Sequence, residues 1–400
     1  MAEDLFPSPH PLTPPHCEEE RLAWLRLLRS RRVGATTFHR LMREHGSAAD
    51  ALAALPGVAR AAGVHDYHPC PESVAEAELR AARRAGAQMV AIGSPEYPPL
   101  LAQLPDAPPI LWALGDASLL QRPLLAMVGA RNASSLGTRM ARRLAAGLGE
   151  AGHVVVSGLA RGIDAAAHLA ALEHGTIAVM AGGVDVIYPT ENAALAGEIA
   201  ERGLRISEQP FGLLPRARHF PQRNRIISGL AAGVVVVEAA ARSGSLITAR
   251  GALDQGREVF AVPGHPFDGR ASGCNMLIRD GATLVRGPED VIDALADGHP
   301  ATRDAPTPAA SPTTGADTAA DAQGKAGGGH APHPVPPVAP AALRARILRH
   351  LGPSPLAEDQ LIRDMKLPPS VLSPELTFLE LEGKVSRQPG GLISLAAGAS

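Results

Sequence analysis

The central part of the chain alternates short, wholly apolar runs with alanine-rich stretches of helical spacing. The runs at 124–128, 154–156, 177–180, 234–237 and 259–262 carry no polar alternation. Strands of that kind are buried on both faces, as in a parallel sheet covered by helices on either side. The pattern predicts an α/β domain with a doubly wound parallel sheet over residues 86–298.

The flanks read differently. Leu22, Trp24, Leu25 and Leu28 mark a helical stripe, and Arg31-Arg32-Val33-Gly34 leads into a second one with Phe38, Leu41 and Met42. Leu55-Pro56-Gly57-Val58 has the apolar-x-Gly-apolar form of a helix-hairpin-helix turn, and equally that of an ordinary tight connection. Residues 17–85 are therefore expected to form a small helical domain that assists DNA binding. Residues 299–340 contain no Leu, Ile, Met or aromatic side chain. Such a segment buries too little apolar area to offset its ordering entropy and is expected to be a disordered linker, as are residues 1–16 at the other end. Beyond it, helical spacing returns with Leu343, Ile347, Leu348 and Leu351, then over 356–365 and 371–381, before a short hairpin at 384–395. Three helices and a hairpin suggest a winged helix over 341–396, or a small packing domain with no activity of its own.

Composition narrows the chemistry. With 400 residues there is room for several domains, and a net charge of −2 excludes a histone-like protein held to nucleic acid by bulk charge. Lysine occurs only at Lys325, Lys366 and Lys384, so the first three hundred residues lack a Walker A clamp or Schiff-base lysine. Cys17, Cys70 and Cys274 form no CxxC pair, which supports neither a disulfide framework nor a cysteine zinc site and fits a reducing, cytoplasmic setting. The opening MAEDLFPSPH lacks the features of a signal peptide. The most apolar stretch, 230–241, is interrupted by Glu238 and falls short of the roughly 20 residues that span a bilayer.

Ligands of a doubly wound sheet bind beyond the carboxyl ends of its strands. Here those ends carry Gly129-Ala130-Arg131-Asn132, then Ser157-Gly158 leading to Asp164, then Gly182-Gly183, then Ser243-Gly244-Ser245. Small residues at helix starts suit close approach to an anion, so Arg131, Ser157, Gly158, Gly182, Gly183, Ser243, Gly244 and Ser245 are candidate phosphate contacts. Any one such turn is also an ordinary tight connection. The run GARNASSLG after the first strand is not GxGxxG, which disfavours a dinucleotide. No acid stands between Glu208 and Glu238, and within that interval Arg216, Arg218, His219, Arg223 and Arg225 surround Phe220 and Asn224. Cations for a backbone and an aromatic face for a base are what single-stranded nucleic acid requires. The bland alternative is a solvated loop with Phe220 in the core. Asp164, Asp185, Glu208 and Glu238 also follow strands, but no metal spacing accompanies them, and Asp164 sits where a helix cap belongs. No catalytic residue and no cofactor is expected.

These residues, taken in order, resemble the DNA-processing protein A (DprA, also called Smf) family of bacterial natural transformation. The resemblance rests on Val128-Gly129-Ala130-Arg131, on Ser157-Gly158-Leu159-Ala160-Arg161-Gly162-Ile163-Asp164, on Tyr188-Pro189 with Asn192, and on Ser207-Glu208. It continues through Phe220-Pro221-Gln222-Arg223-Asn224-Arg225-Ile226-Ile227-Ser228-Gly229-Leu230, Val237-Glu238-Ala239, Ser243-Gly244-Ser245-Leu246-Ile247-Thr248-Ala249 and Gly256-Arg257-Glu258-Val259-Phe260-Ala261-Val262-Pro263-Gly264. The resemblance implies an extended Rossmann domain, a SAM-like N-terminal domain and a C-terminal winged helix. It also implies a homodimer that binds single-stranded DNA without sequence preference, protects incoming strands and loads RecA recombinase onto them. By motif, Arg131 is similar to the family's main phosphate-contacting arginine, and Arg218, Phe220, Arg223, Asn224 and Arg225 to its basic and aromatic rim. Ala181 replaces a usual glycine, Phe211 a usual proline and Cys274 a frequent threonine, and the family's lysine contacts have no lysine here. Two other readings stay open: a nucleotide phosphoribohydrolase, although its PGGxGTxxE run is missing, and a RecA scaffold without DNA contact.

Overall fold

The structure is a computed structural model that describes residues 12–297, 340–351, 356–365, 367, 369–388 and 392–395. The expected disordered start falls mostly outside these residues, and so does the expected linker apart from Pro340, which opens a helix. The described residues divide into two compact units, one ending at Asp297 and one holding the C-terminal elements.

The first unit begins with four helices, α1 (Glu18–Arg29), α2 (Ala35–His45), α3 (Ala48–Ala61) and α4 (Glu72–Ala85). Each buries one stripe: Trp24, Leu25 and Leu27 from α1 meet Phe38 and Leu41 from α2, with the Trp24 and Phe38 rings 5.0 Å apart. Glu18, Glu19 and Glu20 at the start of α1, and Arg26 and Arg29 at its end, complement the helix dipole. Leu55-Pro56-Gly57-Val58 is not a turn: it lies inside α3. That helix is capped nine residues earlier than Pro56, where the Ser47 side chain accepts from Asp50 N–H, and its alanines carry it through. The tight turn is instead at 30–34, between α1 and α2, where Arg32 takes φ 65°.

Nine strands form one sheet: β1 (Gln88–Ala91), β2 (Ile110–Gly115), β3 (Leu124–Val128), β4 (Val154–Ser157), β5 (Thr176–Val179), β6 (Leu204–Ser207), β7 (Gly233–Val236), β8 (Glu258–Ala261) and β9 (Thr283–Leu284). Their order is β1-β2-β6-β5-β4-β3-β7-β8-β9. From β6 to β9 the pairing is parallel, as expected of the apolar runs, while β2 pairs antiparallel with β6 and β1 antiparallel with β2. Strand alternation sorts the core into two layers. Leu125, Met127, Val155, Val235 and Phe260 face α6 (Ser135–Glu150), α7 (Ile163–Ala171) and α12 (Pro288–Asp297). Leu124, Ala126, Val128, Val154 and Val156 face the layer of α9 (His219–Leu230) and α10 (Gly244–Asp254). Shorter connections hold α5 (Pro99–Ala102), α8 (Ala193–Arg202) and α11 (Ser272–Arg279).

The four-helix part is fastened to this sheet by a buried polar cluster. Arg29 Nη2 donates to Glu78 at 2.8 Å, and the same carboxylate accepts from the Trp112 indole on β2 at 2.8 Å. With both partners held out of water, this pair is well hydrogen-bonded, the condition for a buried ion pair to be tolerated.

The second unit contains α13 (Pro340–His350), β10 (Leu356–Ala357), α14 (Glu358–Met365), α15 (Pro369–Leu381), β11 (Val385–Gln388) and β12 (Leu392–Leu395), with an antiparallel sheet ordered β10-β12-β11. Leu343, Ile347, Leu361, Leu372, Leu376 and Ile393 form its interior. This is the winged-helix arrangement of three helices and a hairpin. On α15, Glu375 is paired with Arg344 at 2.5 Å and Glu380 with Arg387 at 3.7 Å.

Candidate nucleic-acid interface

The parallel strands deliver their connections to one edge. There a shallow cleft, open to solvent, is lined by Arg131, Gly158, Ala160, Arg161, Tyr188, Pro189, Phe220 and Arg223. The exposed Arg131 guanidinium stands 5.3 Å from the centre of the half-buried Phe220 ring, and the Tyr188 ring lies 5.7 Å beyond, tilted by 56°. Arg161 is exposed at the mouth and meets Glu191 at 3.4 Å.

Rigidity of this edge comes from local hydrogen bonding. After β4, the Asp164 carboxylate at the start of α7 accepts from the N–H of Gly158 at 3.1 Å and of Ala160 at 3.3 Å. Asn192 Nδ2 donates to Leu159 O at 2.9 Å, and Ser157 Oγ to Met127 O at 2.6 Å, tying β4 to β3. Gly162 has φ 78°, and a β-carbon there would come within 2.2 Å of Ala130 O, so the approach of the two loops requires glycine. Burial raises the Asp164 pKa, and the nearby Arg223 charge pulls it back down.

The basic run is divided among three environments. Arg223, only 6% exposed, donates from Nη1 to Gly158 O at 2.6 Å and to Val179 O at 2.5 Å, joining α9 to the ends of β4 and β5. Its Nε donates to Asn224 Oδ1 at 3.1 Å, which engages that side chain too. Burial lowers the Arg223 pKa to about 10, so it remains a cation at neutral pH. Arg225 points away from the cleft, into an ion-pair cluster with Asp106 at 3.3 Å and Glu208 at 2.5 Å. Burial raises the Glu208 pKa, and the Arg225 charge opposes that rise. Arg216 and Arg218 stay exposed on the loop before α9, with Arg218 Nε 3.3 Å from His219 Nε2.

The other strand ends are closed by the protein's own groups. At the start of α6 the Glu238 carboxylate accepts from Ser134 N–H at 2.9 Å and from the Ser134 hydroxyl, and it lies against Gly137. A negative side chain thus occupies the helix terminus where a dinucleotide pyrophosphate would sit. Gly182 and Gly183 are buried beneath the 210–215 loop, with Gly183 N–H donating to Leu213 O at 2.9 Å and Gly212 N–H donating to Asp185 at 2.9 Å. Ser243 caps α10 by accepting from Ser245 N–H, and the two hydroxyls are 2.7 Å apart, with Gly244 exposed between them. The cleft therefore brings together Arg131, Gly158, Phe220 and Arg223. Ser157 lies beneath it, and Gly182, Gly183, Arg218, Asn224, Arg225, Ser243, Gly244 and Ser245 are not part of its lining.

Ala160, Arg161, Tyr188 and Pro189 are the lining groups that residue-level reading did not single out. Tyr188 is one of only three tyrosines in the chain and stands beside a proline, a usable signal once the aromatic scarcity is noticed. Among the described residues no group of three or more His, Cys, Asp or Glu side chains is placed to hold a metal ion, and no helix is long and apolar enough to cross a membrane.

Comparison with known proteins matches this arrangement. The family model described as DNA recombination-mediator protein A covers residues 88–296, the DprA-like N-terminal HHH domain residues 18–81, and the DprA winged helix domain residues 331–391. The DNA processing protein DprA of Streptococcus pneumoniae is 48% identical over 198 residues, which are 49% of this chain and 70% of that one. That of Bacillus subtilis is 44% identical over 220 residues, 54% of this chain and 74% of its own. The X-ray structure of the Streptococcus pneumoniae protein superposes with a TM-score of 0.52 at 39% identity, covering 59% of this chain and 86% of that chain. On the match of more than half its length and on the ordered motifs at one sheet edge, the chain belongs to the DNA processing protein A (DprA/Smf) family.

Proposed function

We propose that the chain binds single-stranded DNA without sequence preference at the Arg131–Phe220–Tyr188 cleft. The observation that carries this reading is the exposed Arg131 cation 5.3 Å from the Phe220 ring, with a second aromatic ring 5.7 Å further on. A phosphate beside a guanidinium fork and a base on an aromatic face are the two contacts that hold a strand regardless of its sequence. Arg223 acts from beneath, as a buried cation that shapes the cleft floor. In this reading the protein takes up incoming strands in natural transformation, protects them and loads RecA onto them, as a cytoplasmic homodimer. Residues 17–85, 86–298 and 341–396 are its three domains and 299–340 the connection. The family membership supports the recombination setting. A nucleotide phosphoribohydrolase is disfavoured because Glu238 fills the helix terminus that a nucleotide phosphate would use.

Fluorescence anisotropy with a labelled oligothymidylate tests the reading. Binding is expected to a strand of mixed sequence as well, and to weaken with added salt. Absence of binding at micromolar protein, or release of free adenine from AMP, would overturn it.

A further inference from the structure

We propose that the loop at 262–271 carries a second stacking platform for the same strand, with Phe267 as its face. The inference rests on single-strand binding at the Arg131–Phe220 cleft.

Single exposed apolar side chains are common on proteins, so exposure alone decides little. Phe267 is set apart by its support and its place. It is 95% exposed, yet the loop beneath it is closely hydrogen-bonded. Phe267 N–H donates to His265 Nδ1 at 3.3 Å, Asp268 N–H to His265 O at 2.9 Å, and Ala271 N–H to Asp268 O at 2.9 Å. Asn275 clamps the base of the loop, accepting from Gly264 N–H at 3.1 Å and donating to Gly264 O at 2.9 Å. The His265 ring lies 5.5 Å from the Phe267 ring at 40°, which supports one side and leaves the other open. A hydrophobic ring is thus held out in water by a preorganised scaffold, the arrangement that lets a base stack without first ordering the side chain.

Its place is the carboxyl edge of the sheet. The loop follows β8, and the order β4-β3-β7-β8 sets it three strands from the end of β4, about 14 Å away at the usual strand spacing. Between the two aromatic sites the connection after β7 exposes Arg242, and the loop itself carries Arg270. The two connections, 237–243 and 262–271, carry two acids, Glu238, held by Ser134, and Asp268, joined to Arg270 at 3.2 Å, which leaves Arg242 as the cation not paired within them. An apolar face with a cationic approach on the edge already facing the strand fits a polyanion carrying aromatic bases. A second copy of the chain is the competing occupant.

The test uses the full chain and oligothymidylates of about 2 and about 16 nucleotides: at about 3.4 Å per stacked nucleotide the first is too short to bridge the two platforms and the second spans both. Phe267→Ala is expected to leave affinity for the short strand unchanged and to lower it about tenfold for the long one, while Phe267→Trp retains both. Sedimentation is expected to give the same mass for Phe267→Ala as for wild type. Unchanged affinity at both lengths, or an equal loss at both, would overturn the second platform while leaving the first in place. A smaller sedimenting mass for Phe267→Ala would overturn it in favour of self-association. If the wild-type chain binds neither length, the underlying single-strand reading falls as well.

Discussion

Arg223 donates to the carbonyl of Gly158 at 2.6 Å, and its Cζ lies 2.5 Å from where a β-carbon on residue 158 would stand. The missing side chain of one residue is the space that the guanidinium of the other occupies. This clamp fixes the first turn of α9 against β4, and with it the position of Phe220 beside Arg131.

Gly158→Ala should therefore displace the guanidinium and destabilise the fold by about 1–3 kcal/mol, the usual cost of overpacking. Urea midpoints of the two proteins measure this. A variant as stable as wild type would show that Arg223 has room to move and does not clamp the cleft.

Arg131→Ala should weaken binding to all sequences alike and reduce the log–log salt slope by about 0.7 for one lost phosphate contact. The side chain is exposed and makes no ion pair among the described residues, so stability should stay within about 0.5 kcal/mol. Titrations across a salt series distinguish a phosphate contact from a bystander, whose loss leaves the slope alone.

Phe220→Ala should cost about 1–3 kcal/mol of single-strand affinity, and Phe220→Tyr should retain most of it, because a tyrosine ring presents the same stacking face. Melting temperatures settle whether the ring serves binding or packing. A sharp drop in melting temperature, with unchanged affinity of the folded fraction, would assign Phe220 to the core.

His168 makes stability depend on pH. The Thr176 hydroxyl donates to Val155 O at 2.8 Å, so it accepts from His168 Nδ1–H at 2.7 Å, and the buried Nε2 has no hydrogen-bond partner among the described residues. Burial lowers its pKa from 6.5 to about 3, with the Arg223 charge adding to the effect. The unfolded chain takes up this proton near pH 6.5 and the folded chain only near 3, so this contribution is full above 6.5 and is lost as the pH falls between those values. The slope from this one group is at most about 1.4 kcal/mol per pH unit. His168→Gln should flatten that part of the stability profile in urea titrations at successive pH values, and an unaltered profile would place the acid sensitivity elsewhere.

The amino-acid sequence by itself determined the elements with strong burial. A strand covered on both faces favours apolar residues at nearly every position, so β3, β4, β5, β7 and β8 stand out as apolar runs, and α15 ends where its spacing does, at Leu381, having begun two residues before it. Less of this signal reaches β6, whose Leu204-Arg205-Ile206-Ser207 alternates although all four residues are buried, or β9, which has only two residues. The destinations of the charges were decided only by the tertiary structure. Along α9 each residue turns about 100°, so Arg223 and Arg225 lie about 200° apart, one under the cleft and the other among Asp106 and Glu208. Glu238 reaches Ser134 from 104 positions away because β7 lies beside β3. An apolar residue is read from its own chemistry, since burial is favourable against almost any neighbour. A charge is stable only beside the particular groups that satisfy it, and folding alone brings those groups together.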